Sequence, residues 1–350
     1  MNQPGTDGVV ASGKHSLWLT VLAIGVSLAL LGWALRDVEF EAFLHYVRTV
    51  RPWPMIGAVA IATTLFPLRV FRWRLLLKRP DGENLPWLTM WHPIAMGFMA
   101  NNVLPFRIGE VVRIVSVSRL GNVGLGASLS SVAVERIFDG LALVFLMTVA
   151  LFTAGIPDEV RLGGVSLTQA ATIAGVVSGA ALVAAIMVVA FPQAAERLIQ
   201  LAVRSPKWSA KLVGILEDLR HGMAALRSPV RVLGVALWSV GLWLLNGLSF
   251  YVAFLAFDIP VNFAGALLLQ GVLAVGISVP SAPGYLGVFE AAIVLVLAGV
   301  YKLSDDLGVA YALTYHITTF IPITLLGLWS VARTGLRFKG LRQAAIPQSE

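Results

Sequence analysis

The sequence predicts an all-α, polytopic membrane protein. Of its residues 57% are hydrophobic and 13% charged, where a soluble domain carries about 25% charged residues. Several apolar runs approach the roughly 20 residues that cross a bilayer as a helix. The basic residues gather in three regions instead of scattering. Mean hydropathy is +0.81, and no polar stretch is long enough for a separate soluble domain. Residues 1–350 therefore read as a single integral membrane domain.

The first apolar run, 16–35, has little charge before it and no small-residue cleavage site after it. It reads as a retained span, not a signal peptide. Further full spans fall at 53–71, 125–154, 168–191, 232–256 and 307–330. Trp18, Trp33, Trp53, Trp73, Trp238 and Trp329 lie near their ends, as an aromatic belt requires. Arg69, Arg72, Arg74, Lys78 and Arg79 follow the second span. A second basic group runs from Arg197 to Arg231, and a third from Arg333 to Arg342. Enrichment in Lys and Arg places all three on the cytoplasmic side, with both termini. The same enrichment accounts for the net charge of +7, so no nucleic-acid partner is expected. Segment 193–231 reads as a cytoplasmic amphipathic segment, either interfacial or packed against the bundle.

Two segments remain. Segment 87–119 starts and ends inside, and segment 263–300 starts and ends outside. Each holds two short apolar pieces split by Pro and Gly. The simplest solution is two re-entrant helical hairpins entering from opposite faces, beside about six full spans, which makes eight or more membrane segments. Full spans in place of hairpin limbs give the same parity. Pro105-x-Arg107-x-Gly109 with Glu110 parallels Pro283-x-Tyr285-x-Gly287 with Glu290. Oppositely oriented copies of one unit mark an inverted repeat; two unrelated kinks are the other reading.

The breaks carry the chemistry. In lipid, broken backbone survives only where protein or a watery cavity satisfies its freed N–H and C=O groups. The first break contains Asn101, Asn102, Pro105, Arg107, Gly109 and Glu110, with Arg113 one turn on. The second contains Pro280, Ser281, Pro283, Gly284, Tyr285, Gly287 and Glu290. Glu135, Arg136 and Asp139 sit inside the apolar run 125–154, both carboxylates on one helix face. Each intramembrane charge costs about 2.5 kcal/mol or more, so these groups pair, face water or meet a charged ligand. Arginines beside helix N-termini suit an anionic head group such as a lipid phosphate. Asn101, Asn102, Ser281 and Tyr285 add neutral hydrogen-bonding groups. Glu110 and Glu290 either carry protons or neutralise the arginines in the empty site. His316 reads as a packed polar residue ahead of a proton relay.

Cysteine is absent, which excludes disulfides and thiolate chemistry, and the five histidines show no metal-ligand spacing. No metal, cofactor or catalytic residue is assigned.

The pattern from Asn101 through Pro105, Arg107, Gly109, Glu110 and Arg113, then Glu135-Arg136-x-x-Asp139, then Pro280-x-x-Pro283-Gly284-x-x-Gly287-x-x-Glu290 resembles the lysylphosphatidylglycerol synthase transmembrane region family. Its members are also called flippase-like domain proteins, of UPF0104 type. The resemblance implies a multi-pass protein of the inner (plasma) membrane that moves, or helps move, a lipid. An anionic or polyprenyl-phosphate lipid is the expected partner. About twenty polar residues follow the last apolar run, so the chain reads as a stand-alone form without an aminoacyl-transfer domain. Two other functions stay open. One is a membrane-embedded enzyme on lipid phosphates, with Glu135 and Asp139 as acid, base or metal ligands. The other is a non-transporting partner of an envelope lipid or glycan enzyme.

Overall fold

A computed structural model describes residues 22, 24–104, 108–154, 161–162, 165–166, 197, 228–277 and 281–336. The expected span at 168–191, nearly all of segment 193–231, and Pro105, Arg107 and Pro280 lie outside them. The described residues include ten α-helices and one antiparallel pair of two-residue strands, Arg161–Leu162 with Val165–Ser166. They are α1 (Ile24–Leu35), α2 (Phe40–Thr49), α3 (Pro52–Leu76), α4 (Trp87–Val103) and α5 (Gly109–Gly121). Then come α6 (Leu125–Thr153), α7 (Pro229–Ala256), α8 (Phe263–Ile277), α9 (Val288–Val294) and α10 (Asp305–Thr334). A short 3₁₀ turn, Pro283–Tyr285, precedes α9, and a π turn, Leu295–Val300, extends it. Such π turns are rare and often sit beside functional sites.

The core is apolar, but so is much of the outer surface, and several charged groups are buried. Leu233, Leu237, Ile317, Ile321 and Leu325 are exposed, whereas Arg72, Glu135 and Glu290 are fully buried. Apolar residues face outward where lipid replaces water, and charged groups face the bundle interior. Five stretches are long and apolar enough to cross a membrane: Pro52–Leu76, Leu125–Thr153, Val230–Ala256, Pro283–Val300 and Asp305–Thr334.

The two broken segments fold as helical pairs. α4 ends at Leu104, whose backbone is extended (φ −107°, ψ 145°). The next residue is proline, which disfavours a helical conformation at the residue before it. At 17, 13 and 15 residues, α4, α5 and α8 span roughly 26, 20 and 23 Å, short of the roughly 30 Å hydrocarbon core. The second break turns on two glycines in the left-handed region, Gly284 (φ 70°) and Gly287 (φ 85°). The expected helix opening at Pro283-Gly284 is instead this 3₁₀ turn, and regular helix resumes at Val288.

α4 packs along α5 and α10, α3 along α7, and α8 along α6. The α4–α5 contact is tight at one point. A Cβ on Gly109 would lie 2.1 Å from the carbonyl oxygen of Gly97, and that oxygen is backbone and cannot yield. Gly109→Ala is expected to push the two limbs apart and lower stability by about 1–3 kcal/mol, the usual range for overpacking. Thermal unfolding in detergent checks this; a melting temperature equal to wild type would contradict it.

Candidate functional site

Four arginines and two carboxylates form one buried group between α3, α5, α6 and α7. Glu135 is its centre. Arg113, from α5, donates to both oxygens of Glu135 at 2.6 Å each, the fork-to-fork geometry of a strong pair. Arg136 Nη2 lies 2.7 Å and Arg72 Nη2 3.1 Å from Glu135 Oε1. Asp139, one helical turn on, accepts from Arg72, from Arg136 at 3.1 Å and from the indole of Trp243 at 3.2 Å. Arg69 approaches Asp139 at 3.9 Å. Arg72 also donates to Ser239 at 2.9 Å.

Aromatic faces finish the cage. The Arg113 guanidinium lies 3.8 Å from the ring centre of Trp73, and Arg69 lies 5.0 Å from that of Phe98. Desolvated cation–π contacts of this kind are worth about 2 kcal/mol. The Trp73 indole donates to Ser131 at 3.0 Å, which fixes the ring.

Among the described residues four guanidinium groups face two carboxylates, which leaves two positive charges uncompensated within the group. Glu110, in the first turn of α5, acts electrostatically on Arg136 and tempers that surplus. The group opens to its surroundings at Arg136, whose side chain is 41% exposed. The exposed cation therefore lies within electrostatic reach of the first turn of α5.

At the first break Asn101 Oδ1 accepts the N–H of Gly109 at 2.8 Å, so a side chain of α4 caps α5. Asn102 Nδ2 donates to Thr324 Oγ1 of α10 at 2.9 Å. The two breaks meet here: a Cβ on Gly284 would lie 3.3 Å from the carbonyl oxygen of Asn102.

At the second break Glu290 Oε2 accepts the N–H of Gly287 at 2.6 Å. Its other oxygen lies 2.7 Å from His316 Nδ1, and His316 Nε2 lies 2.8 Å from the carbonyl oxygen of Gly284. Phe289 stacks on His316 with ring centres 4.1 Å apart. Ser281 is buried, and its hydroxyl has no partner among the described residues. Tyr285 is half-buried at φ 62°, and Pro283 is exposed.

The structure thus brings Arg113, Glu135, Arg136 and Asp139 together, with Glu110 at their edge. Asn101, Asn102, Gly284 and Glu290 stand at the junction of the breaks. Arg136 pairs with Glu135 and Asp139, not chiefly with Glu110. α5 starts at Gly109, so Arg107 precedes that helix.

Three participants escaped the sequence reading. Arg69 and Arg72 were expected in the cytoplasmic basic group at the end of the second span, but α3 runs on to Leu76 and Arg72 is fully buried. A signal existed: Val70, Phe71, Trp73, Leu75 and Leu76 continue the apolar run between and beyond these arginines. Glu290 looked isolated in sequence, and its partner is His316 on α10.

Residues 20–327 match the family model described as the lysylphosphatidylglycerol synthase TM region. The chain is 26% identical over 329 residues to Glycosyltransferase AglD of Haloferax volcanii, covering 85% of this chain and 52% of that one. It thus spans about half the length of that relative. A UPF0104 membrane protein of Methanothermobacter thermautotrophicus is 22% identical over 348 residues, covering 94% of this chain and 96% of its own. Another, from Methanocaldococcus jannaschii, is 23% identical over 233 residues, covering 65% and 90%. With most of its length matched by that model, this multi-pass membrane protein belongs to the lysylphosphatidylglycerol synthase TM region family.

Proposed function

We propose that this protein is a lipid translocase that binds an anionic head group, a phospholipid or polyprenyl phosphate, where its two helix breaks meet. The surplus positive charge around Glu135 carries this reading. Buried cations without enough carboxylates favour an anionic ligand, and the accessible one, Arg136, lies within electrostatic reach of Glu110 in the first turn of α5. Arg107 adds a further cation in sequence at the first break.

In this reading the paired segments at 87–119 and 263–300 are re-entrant hairpins from opposite faces, related as an inverted repeat. Three short limbs support this, because none of α4, α5 and α8 reaches across the hydrocarbon core; the fourth, Pro283–Val300, is long enough to cross but is broken at Gly284 and Gly287. Both termini are cytoplasmic, and the membrane is the plasma membrane. The similarity to a protein named a glycosyltransferase suits a lipid that carries an envelope glycan, and an envelope glycan or lipid enzyme as partner.

Reconstitution of the full chain in liposomes with fluorescent polyprenyl phosphate or phosphatidylglycerol tests the reading. A hydrogen bond to a charged group is worth about 1.5–3 kcal/mol, so Arg136→Gln is expected to weaken head-group binding about tenfold or more. Arg107→Ala is expected to act in the same direction. Protein that moves none of these lipids, or that moves them equally well with both arginines replaced, would overturn the proposal.

A further inference from the structure

The hydrogen bonds at the second break fix a proton count. The Gly284 carbonyl only accepts, so His316 Nε2 carries a hydrogen. His316 Nδ1 then faces Glu290 Oε1 at 2.7 Å. Either Nδ1–H donates to a carboxylate, or a carboxylic O–H donates to the Nδ1 lone pair. Both arrangements hold the same number of protons, and both leave the pair neutral. One proton is therefore shared between Nδ1 and Oε1.

That proton closes a chain of side-chain bonds across the break. Gly287 N–H donates to Glu290 Oε2, Glu290 Oε1 shares its proton with His316 Nδ1, and His316 Nε2–H donates to the Gly284 carbonyl. Both left-handed glycines are thereby held from the side. Removing the proton sets a carboxylate against a lone pair and leaves a negative charge buried in the bundle. Among the described residues no arginine or lysine pairs with either group, so nothing there compensates that charge.

We propose that the Glu290–His316 pair is a proton-binding site that latches the second break, and that losing the shared proton to water opens it. Because Gly284 lies against Asn102, opening displaces the wall of the first break as well. Coupling of this step to lipid movement rests on the translocase reading; the proton site and the latch do not.

Few other groups can titrate nearby. α9 packs on α8 and α10, and the Pro283–Tyr285 turn packs on α4. α8 has no titratable residue, and α9 has only Glu290. α4 offers His92, which packs on Trp329. α10 offers the phenols of Tyr311 and Tyr315, bonded to the Phe250 carbonyl and the Ser249 hydroxyl. Its charged groups, Asp305, Asp306 and Arg333, lie in its first and last turns. Ser27 of α1 binds the Ala282 N–H and does not titrate, and Tyr285 is the one further phenol of the turn.

The test compares wild type with Glu290→Gln. A glutamine amide can donate to Nδ1 and accept from the Gly287 N–H, so it imitates a pair that never loses its proton. The full chain is labelled with ¹⁵N-histidine in lipid nanodiscs, and His316→Gln assigns the signal. Nε2 should stay protonated while Nδ1 changes with pH in wild type and not in Glu290→Gln. An unprotonated Nε2, or the same titration in both proteins, would overturn the proton site.

The latch is read separately. The chain has no cysteine, so Ser281→Cys gives a single labelling site at a buried position. An unpaired buried charge shifts an opening equilibrium roughly fiftyfold or more, so thiol labelling should rise by that order on proton loss and stay flat in Ser281→Cys/Glu290→Gln. Equal labelling across pH would overturn the latch. In liposomes that move lipid, an imposed pH gradient should change the wild-type rate and not the Glu290→Gln rate. A gradient-independent wild-type rate would overturn the coupling. Liposomes that move no lipid count against the translocase reading, and the proton site is then judged on the nitrogen signals and the labelling.

Discussion

Glu135→Ala is expected to destabilise the protein by about 3–5 kcal/mol, the cost of removing one partner from a buried ion pair. Glu135 holds two close bonds from Arg113 and one each from Arg136 and Arg72. Without it Arg72 and Arg136 fall back on Asp139, which also serves Arg69. Arg113 would be left with the Trp73 ring and no carboxylate. A stability of about 5–15 kcal/mol is typical of a folded domain, so this single change is expected to leave much of the protein aggregated on extraction. Thermal unfolding and size-exclusion profiles in detergent measure it. Glu135→Gln keeps the shape and two acceptor lone pairs, and should fall between alanine and wild type. An alanine variant as stable as wild type would mean that the arginines have another source of compensation.

Gly287→Ala has the second-largest expected effect. The residue sits at φ 85°, and an added Cβ would come 2.0 Å from the carbonyl oxygen of Ser27 and 3.2 Å from the backbone nitrogen of Leu31. Both atoms are main chain of α1, so the helix itself must move. Strain at such a backbone position and overpacking each cost about 1–3 kcal/mol, and here they add, to about 3 kcal/mol or more. Moving α1 also separates Ser27 from the Ala282 N–H that it binds at 2.7 Å. Gly140→Ala is the control, because a Cβ there meets nothing within 4 Å and the position is inside α6. The control is expected to melt at or slightly above wild type, since glycine inside a helix is less stable than alanine by roughly 0.5–1 kcal/mol. Equal melting of Gly287→Ala and Gly140→Ala would contradict the close approach of α1.

The breaks were legible because their causes are local. Pro105 sets the conformation of Leu104, and glycines supply the left-handed backbone at Gly284 and Gly287. Hydropathy located α6, α7 and α10 to within a few residues for the same reason. Which charges meet is not a local property. Arg72 and Asp139 are 67 residues apart, and Glu290 and His316 are 26 apart on different helices. Their pairing depends on which helix faces turn inward, and periodicity gives that face only when polar and apolar residues alternate cleanly. α3 does not show this: nearly all of its surface is apolar, and its inner face is revealed by packing against α7. Counting positive charges also misplaced Arg69 and Arg72, because a loop count treats every arginine near a helix end as solvated.

The surplus of guanidinium over carboxylate around Glu135 ties affinity to fragility. Without a bound anion Arg69, Arg72, Arg113 and Arg136 repel one another, and the acids among the described residues do not cancel that repulsion. An arriving anion is held both by the contacts it makes and by the relief it brings to its host. In the translocase reading grip and comfort are therefore opposed: a sequence that supplied the missing acid would rest more easily when empty and release a bound lipid sooner. In the same reading Glu110, which acts on Arg136, tempers that surplus and so balances holding a lipid against letting it go.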